Sequence, residues 1–201
     1  MFFLFCTTKL KALPGVDHGT PIHMGTLISV DIGVKHLALC VLSGSGPQHD
    51  IREWRVVDIP EPHDAGALFD CLNPTWAEWA EQAGGATRVV VERQPPQSAL
   101  MQRIQNYCEM LSVVHGMEVT VLHARAKLKF AATQPYFAPP AAAANTYRDR
   151  KRCAVDTVAN YLDAQPDTDA WTPWKLMYSN AKKKDDLADA LLQALAIASA
   201  L

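Results

Sequence analysis

Three separated stretches of this chain place a carboxylate where an apolar side chain belongs. Asp31 lies inside LISVDI (residues 27–32), a β-rich run with no other charge, and a buried, unpaired aspartate there would be costly. Glu92 ends RVVVE (88–92), whose continuous valines suit a strand covered on both faces. Strand ends are where α/β sheets place their chemistry. Asp189 sits in KKKDDLADALLQALAIASAL (182–201), flanked by Ala188 and Ala190, and Leu187, Leu191, Leu192 and Leu195 imply that much of this helix is buried. Asp186 and Asp189 are spaced i, i+3, and Asp185 and Asp189 i, i+4, so either pair projects from one helix face and can share a hard cation through oxygen ligands. Taken singly, each acid serves equally as hydrogen-bonded structure, and Asp185 and Asp186 suit a charged first turn at the positive end of the helix dipole. Taken together, four carboxylates repel one another unless divalent cations neutralise them, and Mg²⁺ or Mn²⁺ favours such oxygen ligands. A pair of such ions suits in-line attack on a phosphodiester, one activating water and the other stabilising the leaving oxygen. The chemistry is that of a nuclease.

The elements that must position these acids follow from periodicity and punctuation. Residues 27–32 and 36–42 read as two hairpin strands, with Gly33 ending the first and Gly44 following the second, and residues 51–59 alternate as a third antiparallel strand. Residues 65–82 carry Leu68, Phe69, Leu72, Trp76 and Trp79 at helical spacing and end at Gly84 and Gly85. These aromatic residues are expected in the core. Strand 88–92, helix 98–115 closed by Gly116, and strand 118–122 follow. Residues 125–144 lose the pattern and read as a mobile connector, and residues 145–164 are helical again. A polar, Trp-containing loop then leads to the acid-bearing helix. The order is that of an α/β domain with a mixed five-stranded sheet, three antiparallel strands and then two parallel ones, flanked by helices. No internal repeat is present.

With 201 residues and 49% hydrophobic content, the chain fits one ordinary folded domain over 24–201. Residues 1–23 read as an extension that matches neither a secretory signal nor a transit peptide. No stretch is apolar for long enough to span a membrane. Five scattered cysteines, never spaced as CxxC, suggest neither a disulfide framework nor a zinc site, and imply a reducing, intracellular setting. No HxxxH spacing marks a histidine metal site. The formal charge of −2 hides local basic clusters: Arg125, Lys127 and Lys129, then Arg148, Arg150, Lys151 and Arg152, then Lys182, Lys183 and Lys184. Such clusters suit phosphate backbones, with binding that weakens as salt rises, although a basic run also serves as a solvated helix face. Arg93 and Gln94, just past Glu92, are placed to position phosphate or shape the site, and Arg93 equally to pair with Glu92.

VDIGVKHLALCVL, VVVERQPPQSALMQRI, YRDRKRCAVDTVANYL and KKDDLADALLQAL resemble, in that order, the Holliday junction resolvases of large DNA viruses (poxvirus-like) and fungal mitochondria, relatives of bacterial RuvC. ERQ and KKDDLAD are the most specific parts. The resemblance implies an RNase H-like fold and makes Asp31, Glu92, Asp186 and Asp189 the catalytic, metal-binding acids, with Asp185 an alternative to Asp186 and the remaining aspartate capping the helix. It implies a homodimer that nicks branched DNA symmetrically with two Mg²⁺ ions per site, Mn²⁺ substituting, and with no small-molecule cofactor. It points to DNA recombination and repair at cytoplasmic viral replication sites, or alternatively in a mitochondrion. The same acids would serve another RNase H-like nuclease acting on RNA–DNA hybrids or DNA ends, and a non-catalytic junction-binding protein would keep the basic clusters. The DIG turn alone also resembles the first phosphate loop of actin-like sugar kinases, but no second Gly-rich loop accompanies it.

Overall fold

A computed structural model describes residues 25–44, 49–83, 87–138 and 146–199. Five strands, β1 (Thr26–Ile32), β2 (His36–Ser43), β3 (Asp50–Asp58), β4 (Thr87–Glu92) and β5 (Glu118–Leu122), form one sheet in the order β3-β2-β1-β4-β5. β1 to β3 pair antiparallel, and β4 and β5 join β1 in parallel. The described residues also form six helices: α1 (Ala65–Ala83), α2 (Ala99–Val114), α3 (Arg125–Ala131), α4 (Tyr147–Asp163), α5 (Thr172–Asn180) and α6 (Lys184–Ala198).

Strand alternation sorts β1 and β4 between two cores. Ile28, Val30 and Ile32, with Val89 and Val91, pack under Leu68, Leu72, Trp76 and Trp79 of α1 and Ile104, Cys108 and Leu111 of α2. Leu27 and Val90 face the opposite core, built with Leu187, Leu191, Leu192 and Leu195 of α6 and with Val158 and Leu162 of α4. Asp31 and Glu92 have the parity of that second face. Because Val30 pairs with Val91, the two acids end neighbouring parallel strands side by side under α6. The turn after Asp31 is tight. Gly33 N–H donates to His36 O at 2.9 Å, and a Cβ at Gly33 would meet that oxygen at 2.8 Å, so only glycine lets the hairpin close here. Gly116 closes α2 at φ +73, the left-handed conformation glycine takes at a helix end.

Two side chains fix α6 on the sheet. Trp54 of β3 donates its indole N–H to Leu187 O at 3.0 Å and stacks on Tyr178 of α5, centroids 5.1 Å apart. Gln193, one turn beyond Asp189, is 1% exposed and donates its amide to Val90 O at 3.0 Å and Val30 O at 3.3 Å. The helix is thereby clamped to the two strands that carry the other acids. Gln193→Leu removes the donor and leaves buried carbonyls without it, so chemical denaturation is expected to show a loss of about 1–3 kcal/mol. A loss below about 0.5 kcal/mol would show that the clamp contributes little.

Several expectations need correction. α3 occupies part of the span read as a structureless connector, and α5 replaces the expected Trp-containing loop. Phe69 is 40% exposed while Leu68, Leu72, Trp76 and Trp79 are buried. Those four already fill the inward stripe of α1, and Phe69 lies one position off it. The first residue outside α6 is Lys183, with no side-chain capping bond. Asp185 and Asp186 therefore sit inside the first turn and neither caps the helix. The expected extension at 1–23, the ends at Gly84 and Gly85, and the part of the connector at 139–144 lie outside the described residues. Among the described residues no helix is long and apolar enough to cross a membrane.

Candidate functional site

The acids of β1, β4 and α6 converge on a lysine. Lys127 Nζ lies 2.6 Å from Glu92 Oε2, 3.2 Å from Asp189 Oδ1 and 3.3 Å from Asp31 Oδ1. The lysine arrives from α3, where it is one of the inward residues and 6% exposed. A second ammonium stands behind the first. Lys151 Nζ of α4 is 2.7 Å from Asp189 Oδ2, 3.5 Å from Asp186 Oδ1 and 3.6 Å from Asp185 Oδ2. Asp189 is thus shared by both lysines, and its side chain is 9% exposed. Asp186 is more enclosed than Asp185, at 23% against 42% side-chain exposure.

The electrostatics follow from crowding carboxylates out of water. Burial pushes Asp31 up to about 6 despite the lowering effect of Lys127, and neighbouring Glu92 pushes the same way. Burial also raises Asp189 against the pull of Lys127 and Lys151. Asp186 is raised by burial and by Asp185 beside it. For the lysines the balance is opposite. Burial alone would lower Lys127, yet Asp31, Asp189 and Glu92 hold it above the ordinary lysine value. Lys151 is likewise held up, against burial, chiefly by Asp189. Both are therefore ammonium ions at neutral pH, and the cluster gathers positive charge by design of its acids.

Asp31, Glu92, Asp186 and Asp189 against Lys127 and Lys151 leave a formal charge of −2, an excess that one divalent cation balances. The donor set, all carboxylate oxygen, fits Mg²⁺ or Mn²⁺. The two ammonium groups already offset half of the four carboxylate charges, and among the described residues no three His, Cys, Asp or Glu side chains are grouped so as to hold a metal directly. The present spacing is that of acids spread around –NH₃⁺.

The remaining basic and polar residues divide by setting. Arg93, Lys129, Arg148, Arg150, Lys182 and Lys183 are exposed and Lys184 is half-buried. Arg152 pairs with Asp156 one turn on at 3.7 Å, and Lys183 lies 4.0 Å from Asp186. Gln94 is buried, its amide donating to Glu92 O at 3.0 Å and its backbone N–H to Gln105 Oε1 at 2.7 Å. It shapes the end of β4 from within. Arg93, Gln94, Gln102, Gln105 and Asn106 line a cleft of about 500 Å³ beside α2. Sequence reasoning set Lys127 and Lys151 among the phosphate contacts and did not foresee their embrace by the acids. It also missed Thr146 and Asp149, whose reciprocal capping box starts α4 and so sets where Lys151 points.

The poxvirus A22 protein family matches residues 26–200, which takes in every strand and helix described above. The chain belongs to this family. Membership places it among Holliday junction resolvases, which are endonucleases. No curated protein matches it by sequence. Among solved structures it is similar to Thermus thermophilus RuvC in complex with a Holliday junction substrate, with a TM-score of 0.54 and 16% identity over 85% of this chain and 91% of that one. T. thermophilus RuvC alone gives a TM-score of 0.53 and 16% identity over 85% and 92%. At that identity the likeness is one of fold, an RNase H-like α/β sheet flanked by helices.

Proposed function

We propose that this family member cuts four-way DNA junctions by Mg²⁺-dependent phosphodiester hydrolysis. Asp31, Glu92, Asp186 and Asp189 are its acids, and Mn²⁺ can replace Mg²⁺. The observation that carries the reading is the meeting of Glu92, Asp189 and Asp31 within 3.3 Å of one ammonium nitrogen. Acids from three separate elements do not crowd together in a core without a cation to hold. We take Asp186 rather than Asp185 as the fourth acid because it is the more enclosed, and because burial and its neighbours bias its ionisation. These four acids would hold divalent cations, which would supply water activation and charge stabilisation at the leaving oxygen. Lys127 and Lys151, held fully charged, supply fixed positive charge for phosphate and are unsuited to take a proton as general bases. Arg93, Lys129, Arg148, Arg150, Arg152 and Lys182 to Lys184 supply the surrounding backbone contacts. Each chain offers one acid cluster, so two symmetric cuts require two chains. Exposed Met110, Val113 and Val114 on α2 supply an apolar surface for that self-association. In this reading the dimer processes recombination and replication intermediates at cytoplasmic viral replication sites.

The test is cutting of a synthetic four-way junction beside duplex DNA and an RNA–DNA hybrid, in Mg²⁺ and in EDTA. The junction is expected to be cut at least about tenfold faster than either competitor, with paired symmetric nicks and no cutting in EDTA. Equal cutting of all three would assign the acids to a general RNase H-like nuclease, and binding without cutting would assign a junction-binding role. Undiminished activity in EDTA would remove the metal.

A further inference from the structure

Of the five tyrosines, four are engaged. Tyr178 stacks on Trp54, Tyr136 and Tyr161 meet edge to face, and Tyr107 donates its hydroxyl to Ala65 O. Tyr147 differs. It opens α4 with 68% of its surface exposed, and among the described residues it stacks on no other ring. Among the described residues Lys151 lies over it, with Nζ 6.0 Å from the ring centroid. That same Nζ is 2.7 Å from Asp189 Oδ2. The ring therefore stands at the rim of the acid cluster, one lysine away from it. Lys151 lies over one face of the ring, and most of the residue's surface is exposed. A bulky aromatic side chain left in water contributes little to folding, while the capping box of Thr146 and Asp149 holds its backbone in place. Exposed Arg148 follows it and can contact phosphate.

An exposed ring beside charge suited to phosphate is the arrangement that stacks nucleobases: the backbone is held by charge and the base by its π-face, without regard to sequence. In continuous duplex no base face is free. At a branch point, base pairs lose a stacking neighbour and a base leaves the stack at lower cost. We propose that Tyr147 is the stacking platform for a nucleobase unstacked at the branch point, beside the phosphate that the acid cluster addresses. The inference rests on the junction-cutting reading and adds to it a source of structural selectivity. Tyr147 is on this view a positioning residue.

The experiment uses the full chain and four-way junctions carrying 2-aminopurine at successive positions flanking the cut. Fluorescence is read in Ca²⁺ and cleavage separately in Mg²⁺. Wild type is expected to change the fluorescence of one flanking position. Tyr147→Phe and Tyr147→Trp should keep that change, whereas Tyr147→Ala and Tyr147→Leu should lose it and cut the junction about tenfold more slowly. A fluorescence change that survives Tyr147→Leu overturns the inference. So does slower cutting in Tyr147→Leu with no wild-type fluorescence change at any position, which would mark the ring as a support for Lys151 only. Wild type that leaves the junction uncut in Mg²⁺ would instead remove the junction reading and the inference with it.

Discussion

Asp189→Asn is expected to lower the rate of junction cleavage by on the order of 10³-fold or more, the scale at which loss of one charge-stabilising group acts in an active site. Asp189 is the residue that both lysines share, 3.2 Å from Lys127 and 2.7 Å from Lys151. Its carboxylate therefore joins the strand-borne pair, Asp31 and Glu92, to the helix-borne Asp186. Asparagine keeps the shape and removes the charge, so the packing of α6 should survive. The two measurements are single-turnover cutting of a four-way junction in Mg²⁺ and binding of the same junction in Ca²⁺. Cutting should vanish while binding stays within a few-fold of wild type. Cutting within tenfold of wild type would take Asp189 out of the mechanism, and lost binding would make its role one of holding DNA.

Lys127→Met should act on stability first. The side chain is 8% exposed and its single charge is shared by three carboxylates that are themselves enclosed. Removing one member of such a buried set leaves uncompensated charge and typically costs about 3–5 kcal/mol. Methionine keeps most of the volume, so the loss is electrostatic rather than a cavity. Urea unfolding in EDTA should show it in full. In millimolar Mg²⁺ the loss should shrink, because a cation that binds only the folded acids stabilises the folded state by mass action. Equal losses in EDTA and Mg²⁺ would mean that the acids do not take up a divalent cation once the ammonium is gone.

The acids were legible in the sequence because each breaks a pattern. Asp31 interrupts an uncharged β-run, Glu92 ends a continuous run of valines, and Asp189 interrupts a leucine stripe, so each stands out against a local rule. The sheet was legible for the same reason, since alternating and continuous apolar runs differ by whether one face or both are covered. What failed were elements whose signal is not periodic. α3, RAKLKFA, alternates base and apolar residue and looks like a solvated run, yet it turns Lys127 inward because three carboxylates wait there. α5 carries Pro173 in its first turn, a start signal that the surrounding polar residues masked. Gln193 gives no sign in the sequence of reaching two strand carbonyls. A buried amide whose partners lie more than a hundred positions away, or a buried ammonium whose partners lie 35 and 96 positions away, is written in no local window.

The clamp from Gln193 joins residues 163 positions apart. During synthesis the strands emerge first, with Asp31 and Glu92 near the ends of β1 and β4, while α6 is still unmade or inside the ribosome. At rates of roughly 5–20 residues per second, the interval between β4 and α6 lasts several seconds. Throughout it the emerging chain holds only half of its acids. On the reading proposed above, the site is incomplete until α6 docks and brings Asp186 and Asp189 to the strand-borne pair.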